Sequence, residues 1–249
     1  MQKISVWRKI AKRIIRLRFE PIRVFCIHQV SDELHPLTTC KGDWIQTESF
    51  KSALLRLKKE YTFISLQEAH DKLKNDFFRR QKYAVLTADD GYRCILDLLP
   101  WLDESQIPIT LFLNAKYVDG HSCSPHIMRH ARMENAEVTQ EELAEGLYLT
   151  EDMLKSMPRG LVTLASHGYE HRNATKLALD QFSDQIQKNV TALSQYYSYI
   201  PFHAYTWGRH NGKTDAVLEG FNLTPVLMDG QMNYNDSRLI HRELLPLTY

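Results

Sequence analysis

The chain reads as an α/β protein with mainly parallel strands, and three observations predict it. Short apolar, β-branched runs alternate along the sequence with stretches of helical periodicity. A length of 249 residues suits a single α/β barrel, or two small domains, and 43% hydrophobic with 24% charged residues is ordinary for a full-sized core. Two of the apolar runs, YAVLTADDG (83–91) and LVTLASHGYEH (161–171), end in residues able to do chemistry. In parallel sheets and barrels the strand ends are where ligands bind.

Taken in order, Pro21 closes an N-terminal segment and Ile22–Ile27 predicts the first strand, finishing at His28. Residues 48–60 predict a helix with Phe50, Leu54, Leu55 and Leu57 inward. A short strand over 63–65 and a helix over 66–73 follow, then the strand leading to Asp89 and Asp90. Ile95, Leu98, Leu99 and Leu102 fall at helical spacing and predict a helix over 92–104; Pro108 introduces a strand over 109–113. A strand over 161–166, a long helix over 176–198 and a strand over 202–205 come next. A helix over 212–219 and strands over 223–228 and 239–244 complete the sheet, with no internal repeat and no low-complexity tract.

Two stretches stand outside this alternation. Ile4, Trp7, Ile10, Ala11 and Ile14 give residues 2–18 an apolar helical stripe beside a cationic face. Such a helix fits an anionic membrane surface, with Trp7 at the interface, and equally a helix packed on the body with solvated lysines and arginines. Residues 116–150 are rich in His and Met early and in Glu later, and predict a helical insertion above the strand ends. His121, Cys123, His126 and His130 could form a second zinc site there, but their irregular spacing favours a plain loop.

The net charge of +1 hides an asymmetry: the first twenty residues carry +6, which leaves −5 by difference on the remaining 229. A mildly acidic body argues against nucleic acid as the main partner. Four scattered cysteines (Cys26, Cys40, Cys94, Cys123) suggest free thiols in a reducing compartment. There is no apolar run long enough to span a bilayer and no signal-peptide pattern, so the sequence predicts a cytoplasmic protein, peripheral on the inner membrane face if the 2–18 helix binds lipid.

Adjacent aspartates repel, so Asp89 and Asp90 are kept where a cation, a proton or solvent separates their charges. By itself the tripeptide reads more simply as a solvated Asp-Asp-Gly turn. His167 and His171, four residues apart, can face one side of a turn and share one ion. Two imidazoles and one carboxylate leave coordination positions open, as a hydrolytic metal site requires. Each motif alone is weak, but together they are a stronger signal.

These motifs resemble those of the polysaccharide deacetylases, the NodB-homology or family-4 carbohydrate esterases. Thr87 to Gly91 reads T-A-D-D-G against the family's T-F-D-D-G, and His167 to His171 reads H-G-Y-E-H against H-[ST]-x-x-H. The helix, proline and strand of LLPWLDESQIPITLFLN (98–114) match the segment after the first motif, FHAYTWG (202–208) resembles the third, and His28 matches a histidine many members carry. The likeness covers about residues 22–245.

It implies a distorted (β/α)7 barrel of the NodB-type glycoside hydrolase/deacetylase class, with a catalytic domain over 21–249 behind a basic segment at 1–20. It implies Asp89 as general base, and Asp90, His167 and His171 as ligands of a divalent metal, most often zinc. Trp207 stands where a main-chain N–H helps hold the oxyanion, and Tyr92, Tyr169 and Trp207 could stack on sugar rings. The departures are Ala88 for Phe, Gly168 for Ser or Thr, Thr206 for Pro, and no arginine near Ala204. The family's late catalytic histidine has His241 as its nearest match, with His203 and His210 behind it.

The resemblance therefore implies hydrolytic removal of an acetyl group from an N- or O-acetylated sugar of a polysaccharide or glycolipid precursor in surface-polysaccharide or envelope synthesis. A catalytically altered carbohydrate-binding or scaffold protein on the same fold, or hydrolysis of a different amide, are the alternatives.

Overall fold

The structure, a computed structural model, describes residues 20–33, 44–76, 79–125, 127–128, 146–236 and 238–247. The helix expected over 2–18 lies outside these residues, as do Cys40, His126, His130 and the glutamate-rich part of the insertion. In chain order the first elements are β1 (Ile22–Ile27), a small parallel pair β2 (Gln29–Val30) and β3 (Trp44–Ile45), and α1 (Thr47–Lys58). Then come β4 (Thr62–Phe63), α2 (Leu66–Asn75), β5 (Tyr83–Asp89), α3 (Leu99–Glu104), β6 (Ile109–Leu113) and α4 (Glu151–Lys155). The last are β7 (Val162–Ser166), α5 (Leu179–Leu193), β8 (Tyr199–Ala204), α6 (Gly212–Gly220), β9 (Thr224–Met228) and β10 (Ile240–Leu244).

Seven parallel strands close a barrel in the order β1-β5-β6-β7-β8-β9-β10, with β10 pairing back onto β1. β4 and β6 share one edge of β5, β4 opposite Tyr83 and Ala84 and β6 from Leu86 onward. Strand side chains alternate between faces, and all seven strands send residues to one interior cluster: Ile22, Val24, Val85, Phe112, Ala165, Phe202, Ala204, Val226 and Ile240. The opposite faces, including Phe25, Ile27, Leu86, Leu111 and Leu164, pack against Leu54, Leu57, Leu102, Leu154 and Leu193 of the surrounding helices. Every barrel strand therefore ends at the same mouth, and the interior residue nearest that end faces it.

Several expectations shift in detail, for local reasons. Leu55 is not inward: the buried stripe of α1 is Phe50, Ala53, Leu54 and Leu57, and a residue one step on from Leu54 turns about 100° away, leaving Leu55 half exposed. The helix expected over 92–104 is a 3₁₀ turn (Arg93–Leu98) followed by α3. Pro100 lacks an N–H and is accommodated only in the first helical turn, which fixes where α3 begins. The long helix expected over 176–198 is α5 alone, preceded by a 3₁₀ turn at Ala174–Lys176. In the insertion, Tyr117, Cys123, Ile127, Leu147 and Tyr148 form a small apolar cluster. Cys123 is buried there, while His121 sits exposed in a turn made by Asp119; among the described residues neither belongs to a candidate metal group.

Candidate active site

Asp89 is the last residue of β5, and alternation places it on the barrel interior with Val85 and Thr87. It is buried and held by Arg242 of β10, whose guanidinium donates from Nη1 to Oδ1 and from Nη2 to Oδ2, both at 2.6 Å. Nη1 also reaches Thr87 Oγ1 at 3.3 Å, and the guanidinium lies over the Phe112 ring, 5.0 Å from its centre. Burial alone would raise the Asp89 pKa, but Arg242 and then His167 outweigh it and hold the carboxyl below its usual range. Burial likewise disfavours the guanidinium charge, and Asp89 more than restores it, so the Arg242 pKa moves up.

The next residue turns the other way. Asp90 (φ 70°) and Gly91 (φ 74°) are both left-handed, which tolerates an aspartate and favours a glycine. A Cβ at Gly91 would sit 2.7 Å from Leu113 Cδ2, so a larger residue would also force the Leu113 side chain to shift. The turn brings Asp90 Oδ1 to 3.4 Å from His167 Nε2 and 3.2 Å from His171 Nε2. That oxygen is buried and has no hydrogen-bond partner among the described residues. The three donor atoms lie within 4.8 Å of one another. A tetrahedral zinc with bonds of about 2.0–2.1 Å holds its donors roughly 3.3 Å apart, so this trio fits a divalent ion. Burial resists ionisation of Asp90, yet His171 and His167 overcome it and hold the carboxyl well below the usual range.

The imidazoles are fixed from behind. His167 Nδ1 lies 2.8 Å from the Ala204 carbonyl and must donate to it, which leaves Nε2, facing Asp90, as the ring nitrogen available to ligate an ion. The His167 carbonyl accepts from Asn114 Nδ2 at 2.7 Å and from Thr206 Oγ1 at 3.1 Å; the same Asn114 nitrogen donates to Gly168 O at 2.8 Å. Gly168 has φ 79°, and a Cβ there would lie 3.9 Å from Thr206 Oγ1. The hydroxyl absent at 168 is thus supplied across the loop by Thr206, where a proline would offer none. Beneath, Asn189 Nδ2 donates to Leu113 O at 3.0 Å and Ser166 Oγ at 2.9 Å, and Ser166 Oγ lies 2.9 Å from His203 Nδ1. Burial, then His167 and Arg242, push the His203 pKa down to about 3, so this imidazole is neutral.

A cavity of about 300 Å³ opens over these groups, lined by His28, Asp89, Asp90, Tyr92, His167, His171, Trp207 and Arg242 among others. His28 Nε2 lies 4.0 Å from Asp89 Oδ2. Cys26, His28 and Asp89 also form a compact group, but Asp89 already spends both oxygens on Arg242 and burial pushes the Cys26 thiol up, so this set suits a metal poorly. Tyr92 stacks on Tyr148, with ring centres 5.6 Å apart. Trp207 (φ 54°) places its half-exposed ring against His171, 4.9 Å between centres. Tyr169 instead packs on the core outside the barrel and does not line the cavity.

The histidines named for the acid role do not gather at the cavity. His241 does not line it; its Nδ1 faces Asp229 Oδ2 at 2.8 Å. Strand alternation explains this, because Ile240 and Arg242 take the buried face of β10 and turn His241 the other way. His210 pairs with Asp215, and His203 is buried against Ser166. The arginine missing near Ala204 is Arg242, one residue past His241. The alternation of I-H-R-E-L was the available sequence signal for it.

Similar proteins bear on this geometry. The barrel superposes on IcaB from Ammonifex degensii with a TM-score of 0.72 at 20% identity, covering 92% of this chain and 93% of that one. A de-N-acetylase from Aggregatibacter actinomycetemcomitans gives 0.71 at 15% identity, covering 92% and 97%. The Streptococcus pyogenes deacetylase PplD, solved with acetate, gives 0.65 at 20% identity, covering 91% and 93%. At such identities these likenesses speak for the fold. No curated protein matches the sequence. The family model described as polysaccharide deacetylase matches residues 79–226, a stretch that holds Asp89, Asp90, His167 and His171. That match spans more than half of the sequence, and with the barrel and the convergent ligand trio behind it, the chain belongs to the polysaccharide deacetylase family.

Proposed function

We propose that the protein hydrolyses the acetyl group of an N- or O-acetylated sugar in a polysaccharide or glycolipid precursor. The observation that carries this reading is the pairing of two carboxylates in different states of engagement. Asp90 Oδ1 points between two imidazole nitrogens with no hydrogen-bond partner among the described residues, while Asp89 beside it is clamped by Arg242. Asp90, His167 and His171 would hold a divalent ion, zinc by the chemistry of two imidazoles and a carboxylate. Such an ion supplies polarisation of the acetyl carbonyl and acidifies water at neutral pH.

The remaining work falls to the chain. Asp89 is the base that takes the proton of the attacking water; its two Arg242 contacts leave further lone pairs free for that proton. Arg242 fixes the carboxylate's direction and keeps it ionised. The main-chain N–H of Trp207 donates to the developing oxyanion, a contribution of about 3 kcal/mol per donor in other hydrolases. Among the described residues, His28 is the one histidine lining the cavity outside the ligand trio, and it returns a proton to the leaving amine or alcohol. Trp207 and Tyr92 offer ring faces to the sugar. The cavity volume, about 300 Å³, sits at the lower end for ligand sites and matches one sugar unit more than a long segment.

Replacing Asp89 by Asn should abolish acetate release while the protein still binds its ion; activity that persists would remove Asp89 from the base role. His28→Asn should lower kcat/KM by about 10²–10⁴, the usual range for a general acid, whereas His241→Asn should change it little. No helix among the described residues is long and apolar enough to cross a membrane. The basic stripe at 2–18 supports a peripheral site on the inner membrane face, within reach of a lipid-linked sugar. Co-sedimentation with anionic vesicles, lost when residues 2–18 are deleted, is the expected result; binding that survives the deletion would contradict it.

A further inference from the structure

The catalytic cavity adjoins a larger groove of about 1170 Å³. His171 and Trp207 line both, so the two cavities meet at the Trp207 ring. Among the described residues its walls carry Lys116, Arg172, Lys176 and Arg209 and one carboxylate, Glu170. Glu170 is already engaged: Lys116 Nζ donates to it at 2.7 Å, Gln185 Nε2 donates at 3.2 Å, and Arg172 Nη1 lies 3.9 Å away. Lys176 and Arg209 are exposed and have no ion-pair partner among the described residues.

This concentration is unexpected from composition, because the chain beyond its first twenty residues is net negative, −5 by difference. An acidic body that gathers four cations along one groove beside its reactive centre focuses a positive field there. Met128, Leu177 and Trp207 line the same groove and offer it apolar surface. Guanidinium and ammonium groups spaced along an apolar floor recognise phosphate and carboxylate oxygens.

We propose that this groove binds an anionic stretch of the substrate, a phosphate or carboxylate on the residues flanking the acetylated sugar. The inference rests on the deacetylase reading and adds a substrate class to it: acidic glycans rather than neutral ones.

The test is binding by isothermal titration to the full-length Asp89→Asn protein, so that turnover does not intrude. Three probes are compared: a neutral N-acetylglucosamine tetramer, a hyaluronan tetrasaccharide carrying carboxylates, and a phosphodiester-linked N-acetylglucosamine oligomer. At least one acidic probe should bind about tenfold more tightly than the neutral one, and the winning probe tells carboxylate from phosphate. Its advantage should shrink as salt rises from 50 to 500 mM. Adding Lys176→Ala and Arg209→Ala should cut the acidic-to-neutral affinity ratio by about tenfold. Equal affinity for all three probes, or a ratio indifferent to both salt and the double substitution, overturns the proposal. The salt titration needs no groove substitution, so it decides even if the double variant folds badly. Acetate release by the unsubstituted protein is measured separately: its failure on every probe would count against the deacetylase reading, while the binding ratios alone decide the role of the groove.

Discussion

Asp89 and Asp90 are neighbours with opposite constraints, and the difference comes from backbone conformation. The extended residue at 89 faces the barrel interior and meets Arg242; the left-handed residue at 90 swings toward His167 and His171. A buried ion pair is strongly destabilising to break but often neutral to replace as a whole. Arg242→Met should therefore cost about 3–5 kcal/mol in urea unfolding, and the Asp89→Asn, Arg242→Met double variant less than the sum of the singles. Strict additivity would mean the two charges do not act as a pair. His203 offers a pH test. Its folded pKa, about 3, lies below the unfolded value of 6.5, so the unfolded chain gains the proton first as pH falls. Stability from this group is complete above 6.5 and declines by about 1.4 kcal/mol per pH unit down toward 3. His203→Gln should flatten that part of the profile; an unchanged slope would contradict the assignment. At this scale the four polar residues of the two motifs were legible, because strand-end position and i, i+4 spacing are local. Arg242 was not: it reaches Asp89 across 153 residues, and only strand parity separates it from His241.

The geometry of Asp90, His167 and His171 is set by the loops that follow β5 and β7, and each depends on a residue that can turn left-handed. Gly91→Ala should destabilise by about 2 kcal/mol or more, from positive φ and the Leu113 clash together, and should lower zinc affinity by moving Asp90. Normal zinc affinity in that variant would show that the turn does not position Asp90. Thr206→Val keeps the shape but removes the donor to the His167 carbonyl. It should weaken zinc binding by about tenfold while lowering stability by only about 1 kcal/mol. A zinc affinity unchanged by this substitution would refute the cross-loop brace. Strand cores were readable to within one to three residues because buried parallel strands are continuous apolar runs. The helices were less so: Pro100 divides one that periodicity joined, and Leu55 was drawn inward by composition alone.

At the scale of the whole molecule, closure of the barrel brings together residues that are far apart in the chain. β1 carries His28 to the mouth, β5 the two aspartates, β7 and its loop the two imidazoles, the turn after β8 Trp207, and β10 Arg242. Alternating strands and helices made the parallel architecture legible, but the order round the ring, with β1 between β5 and β10, depends on long-range pairing that no local pattern encodes. An ion bound only by the folded barrel must stabilise it in proportion to its concentration over Kd. Zinc should therefore raise the melting temperature of the unsubstituted protein and leave the His167→Ala, His171→Ala double variant unmoved; equal shifts in both would place binding elsewhere. The most direct measurement is anomalous diffraction at the zinc edge from zinc-soaked crystals. One peak is expected, about 2.0–2.2 Å from Asp90 Oδ1, His167 Nε2 and His171 Nε2, with Asp89 still on Arg242 and outside the coordination shell. No peak there, or a peak ligated by Asp89 in place of Asp90, would contradict the metal assignment and the base assignment together.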